Sequence, residues 1–100
     1  MKLHGNADDN DAIHHLYELR DRVDDSVSRY GISTDSVDAD GTSRRMRVQL
    51  RFFNLGAGWL RSFGRVLIHN IPGRRVAKEL EEELVESYAE TTGSRPKGNR

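Results

Sequence analysis

The sequence predicts an α+β domain of order α–β–β–α, and three observations carry that expectation. An apolar stripe at helical spacing runs from Ile13 through Leu16, Val23 and Val27 to Tyr30. A strict alternation follows at Met46, Val48, Leu50 and Phe52. Helical spacing then returns at Val76, Ala77, Leu80, Leu84 and Tyr88. A period near 3.6 marks one face of a helix, and a period of 2 marks one face of a strand.

Residues 1–10 read as an irregular leader ending in Asp8-Asp9-Asn10-Asp11, whose carboxylates suit the free N–H groups of a helix start. The first helix is expected over 11–30, with Gly31 as its terminating glycine. Residues 31–43 are polar and turn-forming, a connecting loop. Within them Asp38-Ala39-Asp40-Gly41 opens like a calcium loop, but no glutamate stands at its twelfth position.

The alternating segment predicts a strand over 44–53, with Arg45, Arg47, Gln49 and Arg51 on its polar face. Asn54-Leu55-Gly56-Ala57-Gly58 would turn the chain into a second strand over 59–70, completing a hairpin. A rival reading exists for this stretch. Phe52, Leu55, Trp59, Leu60, Phe63, Val66 and Leu67 also share one face at helical spacing, as in basic helices that lie on anionic membranes. Gly56, Gly58 and Gly64 would each cost such a helix up to about 1 kcal/mol relative to alanine, so the hairpin is preferred. The final helix is expected over 72–92, with Pro72 in its first turn and Gly93 after its end. Residues 94–100, with Arg95, Lys97 and Arg100, read as a basic flexible tail. The layout is one domain over 11–93 between a leader and a tail.

Charge is balanced in sum and segregated in sequence. The 100 residues carry 16 basic and 16 acidic side chains, yet the 38 residues from Gly41 to Lys78 contain no acid and eight arginines. Such blocks indicate where an oppositely charged partner docks. With no cysteine there is no disulfide framework or thiolate metal site. No stretch approaches the roughly 20 apolar residues of a membrane span, and the first residues lack the apolar core of a secretory signal. A cytoplasmic, intracellular or virion-associated protein is the expectation, and composition argues against membrane association.

Three constellations are candidates for function. Pairing 44–53 with 59–68 would set Phe53 opposite Trp59, Arg51 opposite Arg61 and Arg47 opposite Arg65. Like charges face to face are unfavourable unless an anion bridges them. Together with Arg45 and Phe63, these residues would form a basic, aromatic face for a polyanion or a protein partner. The start of the last helix offers a second anion site at His69, Gly73, Arg74 and Arg75. Glu79, Glu81, Glu82, Glu83 and Glu86 form an acidic counter-surface. His15 with Asp11 and Glu18 matches no metal-ligand spacing, and no cofactor is expected. The sequence has no nucleophile elbow and no phosphate loop with its lysine, so no catalytic residue is assigned.

The functional expectation is a non-catalytic, self-assembling structural or adaptor protein, as in a component of a larger particle such as a virion. A homo-oligomer or an acidic protein would be the partner. The alternatives are a nucleic-acid-binding protein using the hairpin face, and a small regulator docking on an acidic protein.

Overall fold

The computed structural model describes residues 11–100. The leader, including Asp8, Asp9 and Asn10, lies outside the described residues. Among those described the order is β1 (Ile13–Asp21), β2 (Val27–Ser33), α1 (Arg44–Ala57), β3 (Ser62–Pro72) and α2 (Arg74–Thr92), followed by a short 3-10 turn at Lys97–Asn99. The strands form one antiparallel sheet in the order β2-β1-β3. The β–β–α–β–α order corrects the expected α–β–β–α, while the mixed α+β content stands.

The sheet lies between the two helices. On one face α1 packs Met46, Leu50 and Phe53 against Tyr17, Leu19 and Val66. On the other, Ala77, Leu80 and Leu84 of α2 meet Leu16, Ile32 and Ile71, and Val85 and Tyr88 meet Val27, Tyr30 and Leu67. Successive side chains of a strand point to opposite faces. Tyr17 and Leu19 of β1 therefore serve α1, and Leu16 serves α2.

The first correction concerns residues 11–30, which form a hairpin in place of a helix. β1 is central and covered on both faces, so His14 through Leu19 are all buried. Such strands lose the clean alternation that would have revealed them. The turn lies at Asp21–Ser26. The N–H of Asp21 donates to Ser26 O, and Asp24 Oδ1 accepts from both the N–H and the hydroxyl of Ser26. Asp25 adopts a left-handed φ of 59°, which aspartate tolerates better than most residues. Val23, assigned to the buried stripe, is exposed at the tip.

The second correction concerns residues 44–53, which belong to α1. Met46, Leu50 and Phe53 at i, i+4 and i+7 face the sheet, whereas Val48 and Phe52 face solvent. The alternation mixed two faces of one helix. Gly58 ends α1 at φ 80°, its N–H reaching Asn54 O and Leu55 O, as a glycine past a helix end does. The second expected strand exists, as β3, but its partner is β1. Two register shifts against β1 and the left-handed Asn70 (φ 58°) mark where β3 bulges. The last helix lies where its periodicity puts it, with Gly93 at its end in the left-handed conformation, but Pro72 closes β3 and is not in the first turn, and α2 begins at Arg74.

Two close fits matter for the site. Tyr17 pairs with Gly31 across β1 and β2, and a Cβ on Gly31 would meet Tyr17 Cζ and Oη at 2.4 Å. The phenol ring thus lies over a position that only glycine can fill. On the outer side of β2, Asn99 Oδ1 accepts from Tyr30 N (2.8 Å) while its Nδ2 donates to Tyr30 O (2.9 Å). Arg29 Nη1 donates to Gly98 O (2.6 Å), and Pro96 is buried.

Candidate anion-binding cleft

Where β2 ends, the first turn of α1 and the first two turns of α2 approach each other around the edge of the sheet. They enclose a cavity of about 400 Å³ lined by His14, Arg29, Ser33, Asp35, Arg45 and Arg74, with Ile32, Thr34, Lys78 and Glu81 completing the wall. Four cations face two carboxylates, and both carboxylates are already engaged within the fold. Glu81 Oε1 lies 3.3 Å from Lys78 Nζ. Asp35 Oδ2 accepts the backbone N–H of Arg45 at 3.0 Å, which fixes the start of α1 beside the cavity. Arg29 Nε is buried without a hydrogen-bond partner. A buried donor on a cation is costly to leave unmet.

Tyr17 lies behind the wall. Its hydroxyl donates to Gln49 Oε1 at 2.6 Å. Burial pushes the phenol pKa up, against a downward pull from the Arg45 and Arg29 guanidiniums beside it. The phenol therefore stays neutral and braces the two arginines. His14 Nδ1 lies 2.7 Å from Ala12 O. A carbonyl only accepts, so Nδ1 carries the proton and Nε2 is the basic nitrogen of the neutral ring. His15, on the α1 side, places Nε2 2.9 Å from Ser43 Oγ at the start of α1. Burial lowers its pKa, His69 and His14 add to the lowering, and Asp35 opposes it.

Among the described residues no group of three or more His, Cys, Asp or Glu side chains converges as a metal site. Glu81 and Asp35 are the carboxylates in the cleft wall.

The residues singled out in the sequence are dispersed. Arg45, Arg74 and Glu81 line the cleft. Three of the remaining arginines are paired within the fold: Arg47 with Asp38 (2.7 Å), Arg61 with Asp21 (2.7 Å) and Arg65 with Glu18 (2.8 Å). Glu18 also holds Arg20 at 2.9 Å and, like Asp21, is a buried acid of β1. The acid-free run is thus answered by acids of the first strand and of the loop before α1. Phe53 sits under α1 with Lys97 Nζ 5.6 Å from its ring centre, and Phe63 carries the Arg22 guanidinium at 4.9 Å. Arg51 and Trp59 are exposed.

Of the expected helix-start site, Gly73 caps α2 at φ 90° and Arg75 points to solvent. His69 lines a shallow depression with His15 and Asp35, apart from Arg74. Glu79, Glu82, Glu83 and Glu86 occupy the outer face of α2. His14, Arg29, Ser33, Thr34, Asp35 and Lys78 were missed. Each is a single polar residue in a stretch assigned to a helix face or a loop, and only the chain's folding gathers them.

The described residues form a three-layer α/β/α domain with a cationic cleft at the end of its edge strand. The chain belongs to the family described as URI fold toxin 2, whose model matches residues 7–93. It is therefore a member of a toxin family. No curated protein and no solved structure matches it.

Proposed function

We propose that this toxin binds the phosphodiester backbone of nucleic acid in the cleft and hydrolyses it. The observation that carries the reading is the convergence of Arg29, Arg45, Arg74 and Lys78 on one cavity. Guanidinium forks match phosphate oxygens in geometry, and pre-placed cations stabilise the charge that builds on a phosphate under attack. Arg29 and Arg45 hold the non-bridging oxygens, held in turn against Tyr17. His14 Nε2 takes a proton from water as its oxygen adds to phosphorus and the P–O ester bond breaks. The departing oxygen leaves with a proton from solvent. Nucleic acid is inside cells, so that is where such a toxin acts.

The test is incubation of the purified protein with RNA, single-stranded DNA and plasmid, with and without magnesium. Cleavage of one of these is expected. The Arg45→Gln variant should lose binding and cleavage together. His14→Gln should keep binding and lose cleavage by about two to four orders of magnitude, as removal of a general base does. Intact substrates in every arm would sink the reading.

A further inference from the structure

The outer face of α1 has no counterpart elsewhere among the described residues. Val48, Phe52 and Leu55 follow one another at i, i+4 and i+7, and Trp59 and Leu60 extend the strip past the helix end. They are 60%, 79%, 75%, 53% and 73% exposed. A run of large apolar side chains this exposed marks an interaction site more often than an ordinary surface. Its rim is cationic. Arg44 and Arg51 lie along it, and neither makes an ion pair among the described residues. A shallow groove of about 520 Å³ runs beside it between Leu50, Arg51, Leu55, Trp59 and Leu60.

We propose that this face docks an acidic protein whose contact surface has an apolar centre ringed by carboxylates. Tryptophan and arginine dominate protein–protein contact energies when desolvated together, and both are present here. Of the five apolar side chains only Phe52 and Trp59 could stack on bases, and Val48, Leu55 and Leu60 would gain nothing from a polynucleotide. A second copy of the chain supplies the charge but not the centre. The outer face of α2 presents Glu79, Glu82, Glu83, Glu86 and Glu90, with Val76 as its single large apolar residue. The surface is distinct from the cleft, which shares only the first turn of α1 through Arg45, so docking and phosphate binding are separable.

Trp59 is the chain's one tryptophan and reports directly on this face. Its emission would be followed while titrating a synthetic amphipathic helical peptide with leucines on one face and glutamates on the other. Control titrations use the same residues with the leucines dispersed, phosphatidylglycerol vesicles and a mixed-sequence DNA oligonucleotide. A saturable blue shift with the first peptide, at least about tenfold tighter than with the dispersed one, supports the proposal, because apolar placement then matters beyond charge. Phe52→Ser with Leu55→Ser, and separately Arg44→Glu with Arg51→Glu, should each abolish most of that affinity while circular dichroism stays unchanged. An equal response to the dispersed peptide, no response to either, or a stronger one to vesicles or oligonucleotide overturns it. So does a free protein whose light-scattering mass falls from dimer to monomer in the Phe52→Ser, Leu55→Ser variant, since a second copy would then be the occupant. Cleavage of nucleic acid by the same variants is read in parallel, so failure here and failure of the cleft reading remain distinguishable.

Discussion

α1 and α2 flank one sheet and meet water in opposite ways. The outer face of α2 is a row of glutamates, so the helix has one apolar side and one solvated side. The outer face of α1 carries Val48, Phe52 and Leu55 among arginines, while Met46, Leu50 and Phe53 face inward. A helix that is apolar on two sides loses its 3.6-residue signature. Its hydrophobic positions then reflect what binds outside as well as what packs inside.

The largest effect that would test this contrast is Met46→Ala. Met46 is the fully buried anchor of α1 under Tyr17 and Leu19, and losing it should cost about 2–5 kcal/mol in urea unfolding. Phe52→Ser on the outer face should then change stability by no more than about 0.5 kcal/mol. Comparable losses from both would mean that the outer strip is core and that the two helices do not differ.

Gly31→Ala comes next. The new methyl meets the buried Tyr17 ring, so a loss of about 1–3 kcal/mol is expected, with the α1 side loosened most. Asn99→Ala should cost about 1–2 kcal/mol by unpairing the N–H and carbonyl of Tyr30. Hydrogen exchange at Tyr30 would rise while exchange within α1 stayed as it was.

Acidity gives the smallest and most local test. Burial holds His15 below its ordinary pKa of 6.5, so the unfolded chain takes up the proton more readily than the folded one. The stabilisation is complete above about pH 6.5 and is lost as pH falls through the lower folded value. Because His15 touches Ser43 at the start of α1, exchange protection should fall there before it falls in α2. A His15→Gln variant should show a shallower loss on the acid side.

Legibility followed the same division. α2 was read from sequence within two residues, because one of its faces is glutamate and one is apolar. The N-terminal hairpin was not, because β1 is covered twice and fills its buried positions with His14, His15 and Glu18 as readily as with leucine. The turn signal was present in Asp24-Asp25-Ser26 but was absorbed into a helical spacing that Val23 and Val27 happened to satisfy. Of the cleft, Arg45, Arg74 and Glu81 were named from sequence for other reasons. Arg29 and His14 carry no local mark, since their chemistry depends on neighbours as far as 67 positions away, the separation of His14 and Glu81.

The amide of Asn99 has a consequence for how the molecule keeps to itself. β2 is an edge strand, and an edge strand presents a ladder that another chain can extend. At Tyr30 that ladder is already taken by a side chain imitating a neighbouring backbone, one donor and one acceptor in place. Gly98 lies so close to Ser28 and Arg29 that a Cβ there would approach to within 2.8 Å, leaving no room for an incoming strand. A single asparagine beside a glycine thereby acts as a stop codon for strand addition, written in hydrogen bonds.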